Sequence, residues 1–293
     1  MSRETLGFAL GFVGVCVFAG TLPFTRLAVE ALDPWFVTAG RAALSGLLAG
    51  ATLLVLRRRV PDGATLRTLA LAALCLVLGF PGFIALAMTS VNASHGGVVL
   101  GILPLATAVV SALVTGERPA FGFWLAAAAG AALVVWFALR DGGDGLAAGD
   151  ILLAGAVATS SLGYVLSGRV AQQGMSGWEV ISWVLVVSLP VTIPAAILLA
   201  PADPAAVPAS SWIGFAYVTL MSQYLGFFAW TAGLALGGIA RVSQVQLLQT
   251  FVTLVIAAAL NDERVDALTW LVAVAVVALV LLGRRAAIKA SVG

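Results

Sequence analysis

The chain has 293 residues, of which 61% are hydrophobic and 10% are charged, and its mean hydropathy is +1.09. A soluble domain is typically about 45–50% apolar and about 25% charged, so this composition excludes a soluble enzyme, a disordered tail and a nucleic-acid-binding protein. The formal net charge is only +2, and both cysteines, Cys16 and Cys75, lie in apolar runs, which gives no disulfide framework. The composition is that of a membrane protein.

Apolar runs long enough to cross a bilayer recur along the whole chain. A transmembrane helix needs about 20 mainly apolar residues, and ten such runs predict an all-α polytopic membrane protein. These predicted spans 1 to 10 cover residues 6–27, 34–56, 65–88, 93–115, 121–139, 149–171, 178–199, 211–235, 239–260 and 268–283. A signal peptide is the alternative for span 1, but no A-x-A-like site follows and the apolar run continues to Leu27.

The basic residues predict the orientation of the chain in the membrane. With the N-terminus inside, the inside segments carry eleven Arg and Lys residues and the outside segments carry three, Arg26, Arg140 and Arg264. Because positive residues favour the cytoplasmic side, both termini are predicted to be cytoplasmic. The expected location is the inner, or plasma, membrane.

The sequence also contains a weak internal repeat. Glu117-Arg118 and Glu263-Arg264 each follow a long apolar run and stand 146 residues apart, and Trp124 and Trp270 have the same offset. That distance is about half of the chain and equals five spans, an odd number, so the second half enters the membrane from the opposite side. Inverted repeats of this kind place a substrate site near the membrane midplane and are typical of transporters.

Motifs in both halves resemble the EamA domain, the repeat unit of the drug/metabolite transporter superfamily. In the first half these are Leu103-Pro104, then Gly116-Glu117-Arg118, and in the second Asn261-Asp262-Glu263-Arg264. The resemblance implies two inverted five-helix repeats, residues 5–140 (helices 1–5) and 149–285 (helices 6–10). It also implies a central cavity lined mainly by spans 1, 3, 4, 6, 8 and 9, and export of small metabolites. Length and layout are similar to those of YddG-like amino-acid exporters.

One departure from the family pattern concerns span 9. Thr250 stands where the family often has the proline that matches Pro104. Because a proline in a helix interior kinks it, span 9 is expected to bend less than span 4.

Two ionisable residues lie well inside the predicted spans. Arg41 is interpreted as structural, capping carbonyls or pairing with another helix, because span 2 is expected to be peripheral. His95 is the single histidine, and it precedes Gly96 and Gly97, where a ligand could approach the backbone. A histidine hydrogen-bonded at the membrane edge is the alternative, but we expect His95 to bind substrate.

Polar and aromatic residues at helical spacing supply the other candidates for substrate binding. Span 9 has Gln246 on one face with Ser243, Thr250 and Thr253, and an amide both donates and accepts hydrogen bonds. Span 6 has Ser160 and Tyr164 at i and i+4, and span 8 has Trp230 in line with Gln223 and Phe227. The predicted substrate-binding residues are therefore His95, Ser160, Tyr164, Trp230 and Gln246. Packing and interhelical hydrogen bonding are the alternative roles.

No Asp or Glu lies in the middle of any predicted span, and this absence limits the classes of substrate that the protein is expected to transport. Efflux of drug-like organic cations would need a membrane-buried carboxylate, whereas a zwitterion brings its own. The sequence thus predicts a secondary transporter that exports small amino acids or related zwitterionic metabolites by alternating access. Efflux of drug-like organic compounds and an intramembrane enzyme are the alternatives. No catalytic residue, cofactor, metal or nucleic-acid partner is expected; the expected partners are a small-molecule substrate and the lipid bilayer, with the protein a monomer.

Overall fold

The computed structural model describes residues 3–115, 120–141, 148–237 and 243–290, and over these residues the chain forms ten helical runs and no strand. We number the runs α1 to α10 in chain order. Their segments are Arg3–Ala19 and Thr21–Val29 (α1), Pro34–Val55 (α2), Gly63–Ala73, the π-helical Leu74–Gly79 and Phe80–Ala87 (α3), Ala93–Leu100 and Leu103–Thr115 (α4), Phe121–Asp141 (α5), Ala148–Gln172 (α6), Gly177–Leu198 (α7), Ala209–Ala216, the π-helical Tyr217–Leu225 and Gly226–Gly237 (α8), the 3₁₀-helical Ser243–Leu248 and Gln249–Leu260 (α9), and Ala267–Ala290 (α10).

Each predicted span overlaps one of these helical runs, with ends that agree within about one turn wherever the chain is described. The exception is α10, which continues past the end of its apolar run to Ala290. Seven stretches are long and apolar enough to cross a membrane: Thr5–Val29, Pro34–Val55, Gly63–Ala87, Ala93–Val114, Phe121–Leu139, Ala148–Gln172 and Gly177–Leu198. Val245–Leu260 and Ala267–Gly283 are shorter apolar helices.

Aspartate side chains fix the start of two helices. Asp33 Oδ1 accepts hydrogen bonds from the backbone N–H groups of Trp35 and Phe36 at 2.8 and 3.0 Å, and Pro34 occupies the first turn of α2. Asp62 caps α3 in the same way. Hydrogen bonds from the backbone N–H and hydroxyl of Thr65 hold the pKa of Asp62 below its ordinary value. Such caps satisfy N–H groups that a helix start leaves unpaired.

The connections between helices gather at two ends of the bundle. At one, the Glu263 end, Ser211 Oγ donates to the carbonyl of Leu27 at 2.9 Å and Asn261 Nδ2 donates to that of Pro23 at 3.3 Å. At the other, the Arg58 end, Arg58 forms an ion pair with Glu179 at 3.8 Å. These contacts join the two halves of the chain at both ends.

Each half of the chain packs mainly against the other half. α1 packs against α8, α2 against α7, α3 against α6, α4 against α9 and α5 against α10. Small residues allow the closest of these approaches: a Cβ on Gly233 of α8 would lie 2.5 Å from the backbone nitrogen of Gly11 in α1. Close backbone packing at glycine is typical of helices that associate inside a bilayer.

The outer surface of the bundle is apolar. Large hydrophobic side chains such as Leu54, Leu113, Phe121 and Leu198 are more than two thirds exposed. A soluble monomer rarely exposes contiguous apolar surface of this kind, whereas lipid tails cover it without cost. The exposed leucines therefore mark the surface that faces the membrane.

Candidate functional site

A central cavity of about 340 Å³ lies between the two halves of the bundle. Its volume is at the lower end of the range that small-molecule sites occupy. Most of its wall comes from α1, α3, α4, α8 and α9, five of the six helices that the family resemblance implies, and the sixth, α6, contributes Tyr164 alone. In addition, α2, α7 and α10 each contribute one residue, namely Arg41, Ile181 and Val277.

Several helices lose regular α geometry where they border this cavity. α1 is interrupted at Gly20, α4 between Leu100 and Leu103, and α9 changes from 3₁₀ to α at Gln249. The change in α9 occurs although Thr250 replaces the family proline. Irregular backbone at membrane depth occurs where it lines a cavity or is covered by protein, so these interruptions and the cavity belong to one site.

Hydroxyl groups from the second half stabilise the interruption in α1. Tyr217 Oη donates to the carbonyl oxygen of Val17, and Thr253 Oγ1 donates to that of Ala19, both at 2.9 Å. The hydroxyls of Thr21 and Ser222 lie 2.7 Å apart. α8 and α9 thus contribute side-chain donors to carbonyls beside the interruption in α1.

Three of the five predicted site residues line the cavity, Tyr164, Trp230 and Gln246. Two neighbours on the predicted face of α8, Gln223 and Phe227, line it as well. Thr250 and Thr253 do the same for α9, while the side chain of Ser243 lies outside the described residues. The helical spacing in the sequence therefore correctly predicted that these polar and aromatic side chains face the same cavity.

The other two predicted site residues, His95 and Ser160, are buried beside the cavity and are not among its lining residues. His95 Nε2 lies 2.7 Å from Asp150 Oδ1, and its ring stacks on Phe137 with centroids 4.9 Å apart. Ser160 Oγ donates to the carbonyl of Ala156 one turn earlier, at 2.6 Å. Both side chains thus make contacts within the helix bundle.

The structure places Arg41 differently from the structural role that the sequence suggested. α2 is not peripheral at this point: Arg41 is 2% exposed and lines the cavity. Its Nη2 lies 3.5 Å from Ser222 Oγ, the long limit of a hydrogen bond, and its Nε and Nη1 have no hydrogen-bond partner among the described residues. Capping of carbonyls by Arg41 is not seen among the described residues, and its pairing with another helix is limited to the long contact with Ser222 of α8.

Between the cavity and the Glu263 end, polar contacts join α1, α4 and the connection before α10. Glu263 accepts from the backbone N–H groups of Ala93 and Ser94 at 2.7 and 2.8 Å, and its Oε1 lies 3.7 Å from Arg26 Nε. Arg26 also donates to the carbonyl of Val91. We call these five residues the Glu263 cluster. A carboxylate at a helix N-terminus is stabilised by the helix dipole, so the cluster holds this end together.

Sequence reasoning used Glu263 only as a marker of the repeat and missed its role as a cap. The N-terminus of α4 lacks a side-chain cap of its own, because Asn92 forms no such hydrogen bond. Glu263 replaces that cap from 170 residues away in the chain. Its counterpart in the repeat pattern, Glu117-Arg118, lies outside the described residues.

Comparisons with known proteins agree with the family resemblance. The model of the EamA-like transporter family matches the chain twice, at residues 5–139 and 147–283. The chain is 42% identical over 285 residues to a protein of Bacillus subtilis (strain 168) described as "Uncharacterized transporter YdeK", covering 97% of this chain and 99% of that protein. One solved crystal structure aligns over 98% of this chain and 99% of its own, with a TM-score of 0.63 and 20% identity, a likeness that concerns the fold alone. The similarity to YddG-like exporters stays a prediction.

Proposed function

The chain belongs to the EamA-like transporter family, and from that premise we propose that it exports small amino acids or related zwitterionic metabolites. Transport proceeds by alternating access across the plasma membrane, without a cofactor. An intramembrane enzyme gains no support from the family match or from the curated relative, because both describe transporters.

The chemistry of the cavity carries the proposal about the substrate. None of the described residues that line the cavity is Asp or Glu, whereas Arg41, Tyr164, Gln223 and Gln246 bring N–H and O–H donors. An organic cation would find no counter-charge in this wall. A zwitterion finds donors for its carboxylate, and amide oxygens and the aromatic face of Trp230 for its ammonium.

We propose that ten helices span the membrane as two inverted five-helix repeats, residues 5–140 and 149–285. The packing supports this, because exchanging each helix with the one five places away leaves the main contacts unchanged. The contact of α1 with α8 becomes that of α6 with α3, and the pairs α2–α7, α4–α9 and α5–α10 map onto themselves. The π-helical segments of α3 and α8 are related in the same way.

The distribution of basic residues supports a cytoplasmic Arg58 end and an external Glu263 end. The lining residues of α4 begin at Gly97, past the Glu263 cluster, and continue to Thr107. Apolar packing around Leu22, Leu153 and Leu254 fills the bundle on the Glu263 side of the cavity. The described conformation is therefore interpreted as facing the cytoplasm, the side from which an exporter loads.

We assign substrate contact to Tyr164, Trp230 and Gln246. His95 and Ser160, which the sequence places in the same set, do not contact the substrate in this proposal. Both make short hydrogen bonds inside the bundle, and breaking those bonds for a substrate would cost about as much as the new bonds supply.

Uptake by purified protein in proteoliposomes tests the proposed function. Vesicles loaded with unlabelled L-leucine are diluted into a panel of labelled neutral amino acids, and exchange into protein-free vesicles gives the background. We expect protein-dependent exchange of at least one amino acid, and competition by its unlabelled form. Protein-dependent exchange of labelled tetraethylammonium but of no amino acid would overturn the proposal in favour of drug efflux.

A further inference from the structure

We propose that Arg41 is the anchor for a single carboxylate group of the substrate, an assignment that rests on the proposed function and deepens it.

Arg41 is a buried cation with unused hydrogen-bond donors at the wall of a cavity. Its side chain lines the cavity at 2% exposure. Two of its three nitrogens, Nε and Nη1, have no hydrogen-bond partner among the described residues, and the third has one contact of 3.5 Å, to Ser222. An arginine stays protonated in proteins and has five N–H donors arranged as a fork. This fork is therefore largely free to bind a ligand.

The described part of the chain supplies no counter-charge to this guanidinium. Two of its acids are engaged in ion pairs elsewhere, Glu263 with Arg26 and Glu179 with Arg58, and Asp150 is hydrogen-bonded to His95. Burying an unpaired ion costs several kcal/mol even after relaxation. A ligand that brings a negative charge into the cavity would remove this cost, and one without that charge would leave it in place.

The number of charges selects a carboxylate over a phosphate. Arg41 is the one Arg or Lys among the described residues that line the cavity, so it balances one negative charge. A carboxylate fits the guanidinium fork with two parallel hydrogen bonds. A phosphate monoester carries close to two negative charges at neutral pH and would need a second cation.

The neighbours of Arg41 fit the same ligand. The hydroxyls of Thr21 and Ser222, which line the cavity beside it and are hydrogen-bonded to each other, leave one O–H group as a further donor, and Gln223 is 5% exposed on the same wall. Apolar side chains of Phe18, Leu76, Phe80 and Phe227 complete the wall and suit an aliphatic substituent. Trp230 and Gln246 remain for the ammonium group, at positions of α8 and α9 closer to the Arg58 end.

The test compares three ligands of similar shape: L-leucine, 4-methylpentanoate, which lacks the ammonium, and L-leucinamide, which lacks the carboxylate. Binding to the purified wild-type protein is measured by calorimetry. We expect both carboxylates to bind at least about tenfold more tightly than the amide, because the amide leaves the guanidinium unpaired. Equal affinity for the amide and the two acids would overturn the assignment, even if no variant folds.

Variants then locate the effect. Arg41→Gln should lose at least about tenfold in affinity for both acids and leave the amide unchanged, and Arg41→Lys should fall between because it keeps the charge without the fork. Arg67→Gln, the same change on an exposed part of α3, is the matched control and should bind like the wild type. A uniform loss for all three ligands would mean that Arg41 is structural and would overturn the assignment.

Failure of this inference is distinguishable from failure of the proposed function. Unchanged leucine exchange by folded Arg41→Gln rejects the anchor and leaves amino-acid transport standing. Arg41-dependent binding of 4-methylpentanoate without exchange of any amino acid supports the anchor and rejects the amino-acid substrate.

Discussion

At the scale of single residues, the five predicted site positions fall into two groups. Substitutions in one group should weaken substrate binding, and substitutions in the other should lower stability. Gln246 lines the cavity, whereas His95 pairs with Asp150 inside the bundle. Gln246→Ala should raise the apparent KM for substrate by about two- to tenfold, because an uncharged hydrogen bond contributes about 0.5–1.5 kcal/mol. His95→Ala should lower Tm, since it removes a hydrogen-bond partner of a buried carboxylate, and should leave the KM of the folded fraction unchanged.

Transport kinetics and thermal unfolding of the purified variants separate these two effects. Gln173→Ala, the same change at an exposed position of the Arg58 end, is the control for Gln246→Ala. For His95 the control is the double variant His95→Ala/Asp150→Ala, which should lose less stability than the two single changes added together. A raised KM in His95→Ala with an unchanged Tm would contradict this division.

Local spacing identified three residues that line the cavity, but it also selected Ser160, at i and i+4 with Tyr164, which does not line it. Tyr164, Trp230 and Gln246 stand out as polar or aromatic positions in apolar helices, and each of them lines the cavity. The contacts of His95 and Arg41 depend on partners on other helices, such as Asp150 at 55 residues and Ser222 at 181 residues along the chain. No local pattern specifies such pairings, so the sequence could not distinguish a hydrogen-bonded buried histidine from a guanidinium with unused donors.

At the scale of helices, the close approach of α1 and α8 depends on positions without a side chain. A Cβ on Gly233 would lie 2.5 Å from the backbone nitrogen of Gly11 and 2.8 Å from the carbonyl oxygen of Gly7. Backbone atoms cannot turn aside as a flexible side chain can, so Gly233→Ala must separate the two helices. We expect a lower Tm and lower transport activity per molecule, because both helices also line the cavity.

Gly168→Ala provides a matched control for this packing. Gly168 lies in α6, and a Cβ added there would meet open space, with no neighbouring atom within 4 Å. Alanine favours the helix over glycine by about 1 kcal/mol, and this variant should be as stable as the wild type or slightly more so. Equal unfolding temperatures for Gly233→Ala and Gly168→Ala would show that the α1–α8 contact tolerates expansion.

Helix limits were predictable because the bilayer requires apolar runs of a set length, and most predicted ends lie close to the observed ones. Two departures from α geometry have a local cause, because Pro23 and Pro104 have no N–H group to donate to the carbonyls of Ala19 and Leu100, four residues earlier. The sequence could not show that hydroxyls of Tyr217 and Thr253, on other helices, donate to carbonyls of α1 at this point. The absence of a proline at Thr250 did not give a uniform α9, since the change from 3₁₀ to α helix occurs there under contact with α1 and α4.

At the scale of the whole molecule, alternating access requires that the Glu263 end opens while the Arg58 end closes. The Glu263 cluster opposes this opening, because one carboxylate ties Arg26 of α1 to the N-terminus of α4. Hydrogen bonds to a charged group contribute about 1.5–3 kcal/mol each, and the side chain of Glu263 is only 4% exposed, so water screens it weakly. Weakening the cluster should therefore shift the population toward the state that opens at this end.

Glu263→Gln keeps the shape of the side chain and removes its charge, and a loss of about 1.4 kcal/mol would raise the open population about tenfold. Ala257 is fully buried in α9 toward the Glu263 end. In a protein with Cys16→Ser and Cys75→Ser, a cysteine introduced at this position becomes accessible to a thiol reagent only when this end opens. A membrane-impermeant maleimide should label Ala257→Cys faster when Glu263→Gln is present, whereas Ala267→Cys, already exposed at this end, should react equally in both backgrounds.

An unchanged labelling rate at Ala257→Cys would show that apolar packing alone closes this end. Faster labelling with a lowered Tm would instead indicate general unfolding.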